Sequence, residues 1–176
     1  MSRWLISMAA AITHVNRAIF QLTLWLMAVV VPVMLYEVIA RYVFNAPTVW
    51  AMELAVLLFG PYFLLGGPYL LHLRGHVALD VLRQRLSARW NRRLDLINYP
   101  VIVAFCAILL YFSAPAAWSA YQYGETSFSA WNPPIWPAKA AVPIALVLML
   151  LQALADFVVL LLAPETLPAA AHEVLE

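Results

Sequence analysis

Charge is scarce in this chain and cysteine is nearly absent. Only 11% of its 176 residues are Asp, Glu, Lys or Arg, against 65% hydrophobic. A water-soluble domain carries roughly a quarter charged residues, so an ordinary soluble fold is excluded and the membrane class is indicated. The single cysteine, Cys106, lies inside an apolar run. One thiol excludes a disulfide framework and a cysteine-ligated metal site, and fits a small core residue. The net charge of +1 leaves no electrostatic footprint for a nucleic-acid partner. No Walker A run occurs, which excludes ATP hydrolysis by the P-loop route. Nucleophile–base arrangements and clusters of metal ligands are also missing, so no catalytic residue, metal or cofactor is expected.

What the chain does have is long apolar runs. A helix needs about 20 apolar residues to cross the hydrocarbon core, and four windows qualify: 18–44, 50–73, 94–121 and 135–162. Lipid-facing backbone must satisfy its own hydrogen bonds, which makes these helices rather than an open sheet. The expected fold is all-α: one integral-membrane domain over 1–176 with four transmembrane helices and short amphipathic interfacial helices.

Arginine gives the direction. Arg74, Arg83, Arg85, Arg89, Arg92 and Arg93 crowd between the second and third windows, while 45–49 has no Lys or Arg and 122–134 has only Glu125 as a charge. The positive-inside rule then puts the arginine-rich loop and both termini in the cytoplasm. Arg3 and Arg17 agree with this; the acidic tail (Glu165, Glu173, Glu176) weighs little either way. The basic loop is expected to face lipid, chiefly as a topology signal with nonspecific attraction to anionic headgroups. Leu5, Met8, Ile12 and Val15 form a helical stripe, so 2–16 reads as an interfacial helix anchored by Trp4, in preference to a cleaved signal peptide. A second interfacial helix is expected at 77–86, with Ser87 able to cap a new helix start.

Charges inside membrane spans need partners or a function. Glu37 and Arg41 share a helix face at four-residue spacing, and Glu53 follows the Asn45-Ala46-Pro47-Thr48 hinge. One guanidinium can bridge two carboxylates, so Arg41 is expected to join Glu37 to Glu53. All three lie near the outer boundary by residue count, and transport sites favour the midplane. An ion-pair clasp or a subunit interface is therefore preferred over a coupling-ion or substrate site. Gly60-Pro61 and Gly66-Gly67-Pro68 read as packing features, because no carboxylate accompanies them. His72 and His76 share a face and raise haem or metal ligation, but His14 and His172 fall in peripheral segments, and facing histidines from two spans are missing. Gln152 and Asp156 suit a polar interhelical contact. Lys139 can reach the interface at the other end of the same window. Trp118, Tyr121, Tyr123, Trp131 and Trp136 make an outer aromatic belt.

Taken in order, three blocks of residues resemble the small membrane subunit (DctQ family) of tripartite ATP-independent periplasmic (TRAP) transporters, over about residues 15–160. The first is Glu37–Asn45 (EVIARYVFN) with Pro47, Trp50 and Glu53-Leu54-Ala55. The second is Arg74-Gly75-His76-Val77 with Asp80-Val81-Leu82. The third is Gly124-Glu125-Thr126-Ser127, Trp131, Pro133-Pro134, Trp136-Pro137, Lys139, Pro143 and Leu151-Gln152. Ala78 departs from the basic residue common at that position, which puts a lipid contact there in doubt. The resemblance implies a non-catalytic scaffold subunit in the bacterial inner membrane. It would pair with a large elevator-type membrane subunit that holds the substrate and sodium sites, while a periplasmic binding protein delivers an organic acid, a 2-oxo acid or related carboxylate by the pattern at 124–139. Gly124, Glu125, Ser127 and Trp131 are the expected docking loop for that binding protein. Two other readings stay open: a redox membrane-anchor subunit using His72 and His76, and a self-contained small exporter using Glu37 or Glu53.

Overall fold

The computed structural model describes residues 2–73 and 87–162. Four helices are built from the four apolar windows: α1 Ser2–Tyr42, α2 Ala51–His72, α3 Ala88–Gln122 and α4 Trp136–Leu162. Each is long and apolar enough to cross a membrane. Among the described residues there is no strand, only an isolated bridge between Thr126 and Pro134. The expected helix at 77–86 lies outside the described residues, as do Arg74, His76, Asp80, Arg83, Arg85, His172 and the carboxylates Glu165, Glu173 and Glu176.

The first expectation to change is the separate helix at 2–16. Asn16-Arg17-Ala18 contains no helix breaker, and α1 runs through it without interruption for 41 residues. At 1.5 Å per residue that is about 60 Å, twice the hydrocarbon core. The segment also packs into the bundle, since Ala9 and Asn16 are buried. Likewise α3 starts at Ala88, six residues before its expected span, with Ser87 preceding it. The Ser87 carbonyl accepts from Trp90 and Asn91, and its side chain makes no cap.

The helices meet through small residues and turn large ones outward. The buried apolar positions are mostly alanines, including Ala51 and Ala55 on α2 and Ala141, Ala145 and Ala153 on α4. Trp25, Phe63, Phe105, Tyr111 and Phe112 are exposed. In lipid, large side chains gain nothing from hiding, and close backbone approach drives association instead. α2 passes unbroken through its glycines and prolines. Gly66 faces the Phe20 ring of α1, and the Phe20 and Tyr69 rings lie 5.3 Å apart. α1, α2 and α4 pack mutually, and α3 packs chiefly on α4. Leu71, Tyr99, Ala153 and Leu160 form a core at the end of the bundle away from the hinge. An apolar cavity of about 440 Å³ lies between α2, α3 and α4, walled by Phe63, Leu109, Phe112 and Met149 among others.

Candidate functional site

Polar side chains gather at the two ends of this bundle. At the hinge end, Asn45 takes a left-handed φ of 50° and stops α1, a conformation asparagine tolerates better than most residues. The chain then folds back so that Thr48 lies over Glu37. One Glu37 oxygen accepts from Arg41 through Nε (3.0 Å) and Nη2. The other accepts from the Thr48 backbone N–H (3.0 Å) and the Thr48 hydroxyl. The same hydroxyl accepts from the Ala51 N–H at 3.3 Å, which helps to start α2. Buried Glu37 thus ties the end of α1 to the beginning of α2. Tyr36 stacks near Trp50 across the same corner, with centroids 6.1 Å apart.

Glu53 does not complete the expected three-residue bridge. Arg41 keeps to Glu37, and Glu53 accepts from the hydroxyl of Ser129, 76 residues away. The physical reason is reach: a loop from the other hairpin arrives at Glu53 with a hydroxyl. Because the Ser129 proton goes to Glu53, Ser127 donates to Ser129 in the 2.9 Å contact between the two hydroxyls.

That loop is built as a brace. Gly124, at φ +58°, lets α3 end with Gly124 N–H on Tyr121 and Glu125 N–H on Ala120, the paired bonds of a Schellman stop. Ser127 N–H bonds the Pro133 carbonyl and Ile135 N–H that of Glu125. Glu125 pairs with Lys139 on α4. Of the expected docking residues, Gly124 therefore terminates a helix, Glu125 and Ser127 brace the loop, and Trp131 remains exposed. Phe128, Ser129 and Asn132 were not singled out from the sequence.

The opposite end carries a network that sequence reasoning saw only in pieces. Gln152 on α4 is its hub. Its carbonyl accepts from Asn16 Nδ2 at 2.7 Å, and its Nε2 donates to Thr13 Oγ1 at 3.0 Å and to Asp156 Oδ1 at 2.9 Å. His72 Nδ1, at the end of α2, meets the same Asp156 oxygen at 2.8 Å. Asn16, Gln152 and Asp156 are all buried. Three helices are joined here: α1, α2 and α4. The usable signals were the Gln152–Asp156 spacing and His72; Asn16 gave none, being a lone polar residue on a helix expected elsewhere. Arg89, Arg92 and Arg93 are exposed in the first turns of α3, with the Arg93 guanidinium 5.2 Å from the Trp90 ring centroid.

Depth relates the two ends. From Trp136 to Asp156 along α4 is about 30 Å at 1.5 Å per residue, the thickness of a hydrocarbon core. Between the rims, residues 18–36, 54–71, 96–122 and 140–155 contain no Asp, Glu, Lys, Arg or His. Among the described residues, no three of His, Cys, Asp or Glu come together as a metal ion would need. Comparison with protein families matches residues 30–163 to "Tripartite ATP-independent periplasmic transporters, DctQ component". The chain belongs to the DctQ family. A search of the curated proteins finds no match to it. As a DctQ component it is a multi-pass inner-membrane protein and a TRAP transporter subunit.

Proposed function

We propose that this DctQ subunit is a non-catalytic scaffold in a sodium-coupled, binding-protein-dependent importer of an organic acid, paired with a large elevator-type membrane subunit. A 2-oxo acid or a dicarboxylate is the narrower substrate class. One observation carries the reading: the middle of all four helices is free of charge, and the polar groups are used at the rims to join helices. A carboxylate substrate crossing the membrane needs compensating polar groups near the midplane, and the walls of the cavity between α2, α3 and α4 are almost wholly apolar. Substrate and sodium sites belong to the large subunit on this reading. The hinge and the 123–135 loop face the periplasm, and the arginines Arg74, Arg83, Arg85, Arg89, Arg92 and Arg93 face cytoplasmic lipid headgroups.

The same observation weighs against a self-contained exporter, which would need a charge at depth. The redox-anchor reading lacks a second histidine within the spans to pair with His72 across a haem, since residues 18–36, 54–71, 96–122 and 140–155 contain none. Reconstitution tests the proposal. Liposomes holding this chain alone should show no sodium-driven uptake of organic acids, and adding the large subunit and the binding protein should restore it. Uptake by the chain alone would overturn the scaffold role. A photocrosslinker at Ser127 should capture the binding protein from the outer side.

A further inference from the structure

Phe128 is held against its own backbone preference. Four described residues have a left-handed φ: Asn45, Gly124, Phe128 and Asn132. Glycine and asparagine are the residues that accept this conformation readily, whereas a bulky side chain there is an outlier. At φ 55°, Phe128 is the outlier. Glycine would make the same turn with less strain, so the ring is not there for the turn. The ring is also 90% exposed, so it is not there to pack on its own chain. A strained residue retained without an internal use points to an external one.

The loop presents that ring rigidly. Phe128 N–H is held by Asn132 Oδ1 at 3.1 Å, Asn132 N–H by Ser129 Oγ at 2.9 Å, and Ser129 by Glu53 on α2. The flanking residues Ser127, Ser129 and Asn132 are polar. Membrane-interface anchors combine an apolar body with a polar tip, as Trp and Tyr do. Trp118, Tyr121, Tyr123, Trp131 and Trp136 already supply such a belt at this end. A lone apolar ring fringed by hydrogen-bonding groups on a fixed loop has the composition of a protein–protein hot spot.

We propose that Phe128 is the anchor by which this face captures the water-soluble binding component of the tripartite system, its ring entering an apolar pocket on that protein. This rests on the reading that the 123–135 loop faces that component. Its test uses the complex with the large membrane subunit in lipid nanodiscs, titrated with the purified soluble component. Phe128→Gly suits the left-handed turn and removes only the ring. It should weaken binding tenfold or more, mainly through faster dissociation, without lowering the melting temperature or separating the membrane subunits. Phe128→Tyr should bind within about threefold of the native complex.

Native-strength binding by Phe128→Gly would overturn the anchor. Separation of the two membrane subunits by that variant would do so as well, by assigning the ring to their interface. A third contrary result is strong quenching of Phe128→Trp by brominated lipid that persists when the soluble component is bound, which would place the ring in the membrane. A photocrosslinker at Ala130 separates this proposal from the one beneath it. Capture of the soluble component together with native-strength Phe128→Gly binding rejects the anchor and leaves the docking face standing, whereas no capture rejects both.

Discussion

Replacing Gln152 with leucine removes the hub of the far-end network while nearly preserving side-chain bulk. Gln152 is wholly buried and makes three side-chain hydrogen bonds, to Asn16, Thr13 and Asp156. Side-chain hydrogen bonds between membrane helices average about 0.6 kcal/mol each, so losing all three costs about 2 kcal/mol. The loss is uneven among the partners. Asp156 keeps His72, and the Thr13 hydroxyl still donates to the Ala9 carbonyl at 3.1 Å. Asn16 Nδ2 is left facing leucine in a place closed to water, and an orphaned buried donor costs about 1–3 kcal/mol. The expected destabilisation is therefore about 3 kcal/mol. Adding Asn16→Leu should return at least about 1 kcal/mol of it, because replacing both partners by apolar groups is close to neutral. Reversible unfolding in mixed micelles, followed by tryptophan fluorescence, measures all four corners of the double-mutant cycle. If Gln152→Leu stays within about 0.5 kcal/mol of the native chain, or the double variant loses as much as the two single variants together, the network does not bind the helices.

Arg41→Ala should weaken assembly with the large subunit more than substrate recognition, since it removes the cation from buried Glu37. Co-purification yield measures this, and normal assembly with altered sodium dependence of uptake would contradict it. Gly66→Ala should be tolerated, because a Cβ there meets Phe20 at an ordinary 3.5 Å. Gly66→Leu should push α1 from α2 and lower the unfolding midpoint in the same micelles. Gly124→Ala should cost about 1 kcal/mol by forcing an alanine into a left-handed φ, with Gly124→Asn falling between the two.

Much of the architecture is written locally in the chain. The four spans follow from apolar windows that nothing else accommodates, and the Glu37–Arg41 pair follows from four-residue spacing on one helix. The misplaced features depend on distance in sequence. Glu53 finds Ser129 because two hairpin ends meet, which no local pattern announces. The stripe of Leu5, Met8, Ile12 and Val15 with Trp4 predicts a separate interfacial helix at 2–16, but the residues at 16–18 contain nothing that ends a helix, and Asn16 finds its acceptor on α4. His72, Gln152 and Asn16 are unremarkable singly; only the packing of α1, α2 and α4 brings them together. Phe128 was invisible for another reason: Ser-Phe-Ser does not advertise a left-handed residue, since the φ is imposed by the brace around it.

Several of these features express one arrangement, in which polar groups close both ends of a bundle whose middle carries no charge. That arrangement suits a wall better than a passage. The small-residue interfaces hold the four helices to one another, while their large side chains point outward to lipid or to a partner's helices.

The most direct test of the scaffold claim is the mass of the particle obtained when this chain, tagged, is extracted gently from its own membrane. The account predicts one copy of the chain bound to one large multi-span subunit, with sodium-driven uptake lost when either is omitted. A particle made of this chain alone that carries out such uptake after reconstitution would contradict it.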